Sequence, residues 1–71
     1  DYSEAVRAYR GATEADPGNV DGWAGLGNAY LGLGNLDAAE AAFKRARAID
    51  PENSTLKKGM ELLNNARKGS G

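Results

Sequence analysis

The sequence of 71 residues contains neither cysteine nor histidine. It therefore has no disulfides, no thiolate or imidazole zinc ligands, and no histidine to activate a serine or threonine nucleophile. No apolar run comes near the roughly 20 residues that span a bilayer, and we expect no signal peptide. We expect no catalytic residues, no cofactor, no metal and no membrane contact. We favour the cytoplasm, although a chain without thiols leaves the redox compartment open.

Charge is nearly balanced over the whole chain but separated along it. Residues 1–43 hold two arginines against seven carboxylates, and residues 44–71 hold seven Lys or Arg against three carboxylates. No aromatic residue is interleaved with the basic ones, so we expect no nucleic-acid partner.

Apolar and small side chains recur with the spacing of one helix face in four segments, and no segment alternates with the period of a half-buried strand. The third segment shows the pattern in Leu36, Ala39 and Phe43. The sequence predicts an all-α fold of four helices, near 2–15, 20–33, 36–49 and 54–67.

Turn signals separate these segments. Residues 16–19 and 50–53 both read Asp-Pro-x-Asn, in which proline disfavours helix at the aspartate before it and asparagine can cap the next helix. Between them, Gly34 suits a backbone with positive φ and Asn35 suits another N-cap. Asp1 is expected to cap the first helix.

The two Asp-Pro-x-Asn turns lie 34 residues apart, and six of the nineteen positions that lead to each turn are identical. Residues 20–53 resemble the tetratricopeptide repeat, a helical hairpin of that period. The resemblance depends on Trp23, Leu26, Gly27, Tyr30, Gly34, Ala39, Phe43, Ala46 and Pro51.

The resemblance implies an α-α superhelix of about one and a half repeats. Charged or amide residues, namely Lys57, Glu61 and Asn64, occupy three signature positions after the complete repeat, which is typical of a solvating cap. This predicts an open N-terminal edge and a closed C-terminal edge. The expected units are 1–19 (second helix of a truncated repeat), 20–53 (complete repeat) and 54–68 (capping helix), which together form one domain over 1–68, with a flexible tail at 69–71.

The family also implies a protein-protein interaction module that binds a peptide or protein on the concave face. That face is expected to present residues from the first helix of each repeat: Asp21, Ala24, Gly25, Asn28, Leu31, Gly32, Thr55, Lys58 and Leu62. We select Asp21, Asn28, Leu31 and Lys58 as contact residues. Some relatives hold a terminal carboxylate with Lys and Asn four residues apart, but Ala24 stands where that lysine would be, so this motif is incomplete.

Self-assembly is the alternative function. The first helix lacks its partner helix, so Tyr2, Val6 and Tyr9 are expected to expose apolar surface that a homodimer or an exchanged helix would cover. An engineered scaffold without an external ligand is compatible with the same sequence.

The second helix is unusually rich in glycine. Each glycine costs about 1 kcal/mol relative to alanine inside a helix. The family gives Gly27 a packing reason, but for Gly22, Gly25 and Gly32 close approach of a partner backbone and tolerated drift both remain open.

Overall fold

A computed structural model describes residues 1–70, and these form four helices. They are α1 (Tyr2–Ala15), α2 (Val20–Gly32), α3 (Leu36–Ile49) and α4 (Ser54–Ser70). The predicted all-α fold is confirmed, and two helix ends differ from the prediction. Helix α2 ends one residue early, whereas α4 continues through Gly69, because glycine weakens a helix without removing its backbone N–H. Of the tail predicted at 69–71, Gly71 lies outside the described residues.

The predicted N-caps are all formed. Asp1, Asn19, Asn35 and Asn53 each accept a hydrogen bond from a backbone N–H two or three residues later, at 2.9–3.3 Å. These bonds satisfy N–H groups that have no partner inside the helix. Gly34 has φ +77°, the left-handed conformation predicted for the turn between α2 and α3.

The two Asp-Pro turns repeat one hydrogen-bond pattern. The N–H groups of Asp16 and Asp50 each donate to a carbonyl four residues back, both at 2.9 Å. Their carboxylates then accept from the backbone N–H two residues later, at 3.3 and 3.0 Å. Each aspartate therefore closes one helix and begins the turn to the next.

Helix α2 is central and contacts α1, α3 and α4, while α3 also contacts α4. The core lies where α2, α3 and α4 meet. Its buried members are Ala24, Ala39, Phe43, Ala46, Leu56 and Leu63. Three of these six are alanines, Ala24, Ala39 and Ala46, of which the last two are signature residues. Because these side chains are small, the helix backbones approach closely around the large Phe43 ring.

The Phe43 ring occupies the space that two glycines leave open. A Cβ added at Gly27 or at Gly59 would stand within 3.0 Å of atoms on the same edge of this ring. Tyr9 fills the equivalent space over Gly25, and Tyr2 fills the space over Gly32. For Gly25 and Gly32 the neighbours are thus tyrosines of the same chain, and the more covered Tyr9 ring leaves less room for a side chain than the exposed Tyr2 ring does.

The outer side of α4 is polar. Lys57, Glu61 and Asn64 are exposed, and the Arg67 guanidinium lies 3.5 Å from Asp37 and 3.4 Å from Glu40 on α3. Such exposed pairs contribute little to stability, so packing of the inner side holds α4 in place. Within residues 1–70, no helix is long and apolar enough to cross a membrane.

Alanine at two glycine positions should change stability in opposite directions. Gly27→Ala would force a Cβ against Phe43, and overpacking typically costs about 1–3 kcal/mol, more than the roughly 1 kcal/mol gained in helix propensity. Gly11→Ala meets nothing within 4 Å on the exposed side of α1, so it should stabilise by about 0.5–1 kcal/mol. Urea unfolding followed by circular dichroism measures both. A stabilising Gly27→Ala would contradict the packing described above.

Glu52 should titrate below its ordinary value. A hydrogen bond from Lys57 at 2.8 Å, together with the charge of that ammonium, lowers the pKa of Glu52. Because the folded pKa is the lower one, this pair stabilises the fold above the unfolded pKa and loses its contribution as pH falls through the folded pKa. Carboxyl NMR titration should show that Lys57→Gln raises the pKa of Glu52 towards its ordinary value, while Lys58→Gln leaves it unchanged. Equal values in all three proteins would exclude the pair in solution.

Candidate functional site

Side chains from three helices line one groove of about 520 Å³, which we call the α2–α4 groove. On α2, Asn28 and Leu31 lie one helical turn apart, and on α4, Lys58 and Leu62 have the i, i+4 spacing of a single face. Tyr2 at the start of α1 closes one end. The full lining is Tyr2, Asn28, Leu31, Gly32, Lys58, Leu62 and Ala66.

The groove combines apolar surface with one positive charge. Leu62 and Tyr2 are each 57% exposed, although large apolar side chains are usually covered in a folded chain. Leu31 is half-buried between them, and the Lys58 side chain is exposed. Among residues 1–70, the lining contains no carboxylate, thiol or imidazole. The groove can bind an apolar group and a hydrogen-bond acceptor.

Asn28 holds an unpaired acceptor. Its Oδ1 atom is buried and has no hydrogen-bond partner among residues 1–70, and it lies against Gly59, 2.7 Å from where a Cβ on that glycine would stand. A buried polar atom without a partner costs roughly 1–3 kcal/mol. Gly59 makes room for the Asn28 side chain as well as for Phe43, so two different neighbours disfavour a larger residue at this position.

Asp21 lies outside the α2–α4 groove. It is exposed in the first turn of α2, where its Oδ1 accepts a hydrogen bond of 3.0 Å from the Asn53 side chain. Since Asn53 also caps α4, this bond connects the starts of α2 and α4. The structure thus brings together three of the four selected contact residues, Asn28, Leu31 and Lys58, and places the fourth about two turns away.

Two residues expected on the concave face are buried instead. Ala24 has no exposed surface and belongs to the core with Leu56, and Gly25 is covered by the Tyr9 ring. The expectation that they line the groove is therefore wrong. The physical reason is that α2 is covered on several sides, so fewer of its residues reach solvent than in a helix with one buried stripe.

The three residues selected for self-association lie on α1 in different surroundings. Tyr2 lines the α2–α4 groove, Tyr9 is 39% exposed over Gly25, and Val6 is half-buried. The sequence placed Leu62 on the expected concave face, although Leu62 was not among the four selected contact residues. It did not place Tyr2 there, because Tyr2 belongs to α1.

Metal binding is not supported by the described part of the chain. Residues 1–70 contain no group of three or more His, Cys, Asp or Glu side chains that could hold an ion. The charged residue in the lining of the α2–α4 groove is Lys58, a cation, and cations do not serve as ligands for metals. The residues of the α2–α4 groove are suited to contact with another molecule.

Comparison with known proteins identifies the repeat. A family model described as tetratricopeptide repeat matches residues 1–63. Protein bimA of Emericella nidulans is 41% identical over 56 residues, which cover 79% of this chain and 7% of that protein. The Hsp70-Hsp90 organizing protein of Triticum aestivum is 39% identical over 59 residues (83% and 10%). Heat shock protein STI1 of Saccharomyces cerevisiae is 31% identical over 67 residues (94% and 11%).

The chain thus spans about a tenth or less of the length of these relatives. In this chain, the family match includes the signature residues between Trp23 and Pro51 and the helical hairpin that contains them. The match includes α1 and most of α4, so it is not confined to the complete repeat. On this evidence the chain belongs to the tetratricopeptide repeat family.

Proposed function

We propose that the chain is a non-catalytic protein-interaction module that binds a peptide segment in the α2–α4 groove. One observation carries the proposal: Leu62 and Tyr2 remain largely exposed beside half-buried Leu31, so the groove offers apolar surface that no part of residues 1–70 covers. Apolar surface next to a few oriented polar groups is characteristic of ligand sites.

Each groove residue has a distinct role in the proposed complex. Leu31 and Leu62 hold an apolar side chain of the peptide, and Lys58 binds a carboxylate or a backbone carbonyl. A rotation of the Asn28 amide turns its unpaired Oδ1 towards the groove, where a peptide N–H can donate to it. Asp21 stays exposed two turns earlier on α2, and we place it at the far end of the contact face.

The relatives suggest a first peptide to test. Two of them have printed names that connect them with heat-shock proteins, one as an organizer of Hsp70 and Hsp90. A chaperone C-terminal peptide is therefore a suitable probe. Because Ala24 is buried and cannot replace the lysine of the complete carboxylate motif, Lys58 is the candidate for the terminal carboxylate.

Titration of the isotope-labelled chain with the C-terminal peptide of Hsp90 should shift the NMR signals of Asn28, Leu31 and Lys58. Leu62→Gln should weaken binding about tenfold, because burying a leucine contributes about 1.5–3 kcal/mol and part of this side chain is already covered. Leu33→Gln is the matched control, since Leu33 is 49% exposed and lies outside the groove.

Lys58→Gln should weaken the peptide with a free carboxylate by about tenfold and its amidated form much less. Signals that shift only on other surfaces, or equal effects of Leu62→Gln and Leu33→Gln, would contradict the proposal.

Weak self-association is a second candidate, and Tyr9 favours it. Phe43 fills the spaces over two glycines, Gly27 and Gly59. Tyr9 is the equivalent residue 34 positions earlier in the repeat, and it fills only the space over Gly25. Aromatic side chains bury about 150–250 Å², so the exposed parts of Tyr2 and Tyr9 amount to roughly 200 Å² per copy. Stable complexes bury about 800 Å² per partner. A homodimer through these rings alone would therefore be weak.

Sedimentation equilibrium should show a monomer at about 10 μM and a rising mass only near 1 mM. Ala8→Arg should abolish the rise. Ala8 is exposed on α1, while the equivalent residue Ala42 is buried. Ala48→Arg, at an exposed alanine of α3, serves as the control. A constant mass over the whole range would exclude self-association.

A further inference from the structure

We propose that a second groove, between α1 and α3, binds an acidic peptide segment that inserts one apolar side chain. We call it the α1–α3 groove. It lies on the other side of α2 from the α2–α4 groove: at 100° per residue, Trp23 and Tyr30 project about 145° away from the mean direction of Asn28, Leu31 and Gly32. The two grooves share no lining residue.

The floor of the α1–α3 groove is an apolar stripe of α2, formed by Trp23, Leu26 and Tyr30 at i, i+3 and i+7. Trp23 is held in place, because its Nε1–H donates to the Pro17 carbonyl oxygen at 2.8 Å. The ring therefore does not need to be ordered when a ligand arrives, which reduces the entropic cost of binding.

The groove exists because its two walls do not meet. Helices α1 and α3 each pack on α2, but among the described residues their Cα atoms stay more than 8 Å apart. The α3 wall consists of Ala38, Ala41 and Ala42, whose short side chains leave the floor accessible. The space is about 460 Å³, within the roughly 300–1,000 Å³ typical of ligand pockets.

Charge identifies the occupant. Arg10 on the α1 wall and Arg45 on the α3 wall both line the groove, and the ion pairs within residues 1–70 involve Lys57 and Arg67 instead. Arg45 lies 5.1 Å above the centre of the Trp23 ring, which leaves the N–H groups at its edge able to hold a carboxylate. Glu14 is the one acidic group in the lining. The excess of guanidinium groups favours an acidic partner over a basic or neutral one.

Trp23 is the single tryptophan of the chain, so its fluorescence reports on this groove directly. The probe is a capped peptide with one phenylalanine between aspartates, and two control peptides carry lysines for the aspartates or alanine for the phenylalanine. We expect saturable change with the acidic phenylalanine peptide and at least about tenfold weaker binding of both controls. Equal binding of the acidic and the lysine peptides would overturn the proposal.

Matched variants locate the site. Ala41→Glu should weaken binding about tenfold by repelling the acidic peptide, whereas Ala48→Glu, at another exposed alanine of α3 outside the groove, should not. Arg45→Gln should also weaken binding, and Lys58→Gln in the other groove should have no effect. Thermal unfolding monitored by circular dichroism confirms that each variant is folded.

Binding of the peptide elsewhere, or of a second copy of the chain in the α1–α3 groove, would give different results in these experiments. Sensitivity to Lys58→Gln but not to Ala41→Glu would assign the peptide to the α2–α4 groove and overturn the inference. A Trp23 signal that changes with protein concentration alone would show that a second copy covers the α1–α3 groove, and would overturn it as well. Because the two sites are tested by different variants, failure of one leaves the other intact.

Discussion

The insertion of the Phe43 ring at Gly27 and Gly59 is the contact on which the arrangement of helices depends. Both glycines would place a Cβ into the same edge of this ring, so α2 and α4 meet around a side chain that α3 contributes. Buried alanines surround it, and they allow the three backbones to come close. Glycine weakens α2 as an isolated helix, and the packing that glycine permits offsets that cost.

This close packing also determines where contacts with other molecules can be made. Since α2 contacts three helices, little of its surface is left, and what remains is exposed in two narrow strips. One strip carries Asn28 and Leu31, and the other carries Trp23 and Tyr30. Each groove lies between helices whose positions are fixed by packing on α2. Both grooves are therefore formed before any ligand binds. Binding to such a surface requires little reorganisation.

The local features of the fold could be predicted from the sequence because they depend on residues near one another in the chain. The caps at Asn19, Asn35 and Asn53 and the positive φ of Gly34 are of this kind. The grooves depend on residues brought together from three helices, and there prediction was partial. Asn28, Leu31, Lys58 and Leu62 do share a groove, but the role of Tyr2 in it depends on how α1 lies against α2.

One contact between an aromatic ring and a glycine could have been predicted from the 34-residue repeat. Gly25 and Gly59 are 34 residues apart, as are Tyr9 and Phe43, so the aromatic-on-glycine contact is repeated in the sequence. Only the three-dimensional arrangement shows that each ring reaches the glycine of the following helix. The same contact explains why Gly25 is buried, contrary to expectation, whereas Ala24 is buried in the core with Leu56.

The most direct test of this packing is nuclear Overhauser spectroscopy of the Phe43 ring. Its aromatic protons should show strong cross-peaks to the α-protons of both Gly27 and Gly59, and the Tyr9 ring should show them to Gly25, because each ring edge occupies the space a Cβ would fill. Cross-peaks from Phe43 to only one of the two glycines, or to neither, would contradict the arrangement of α2, α3 and α4 on which both grooves depend.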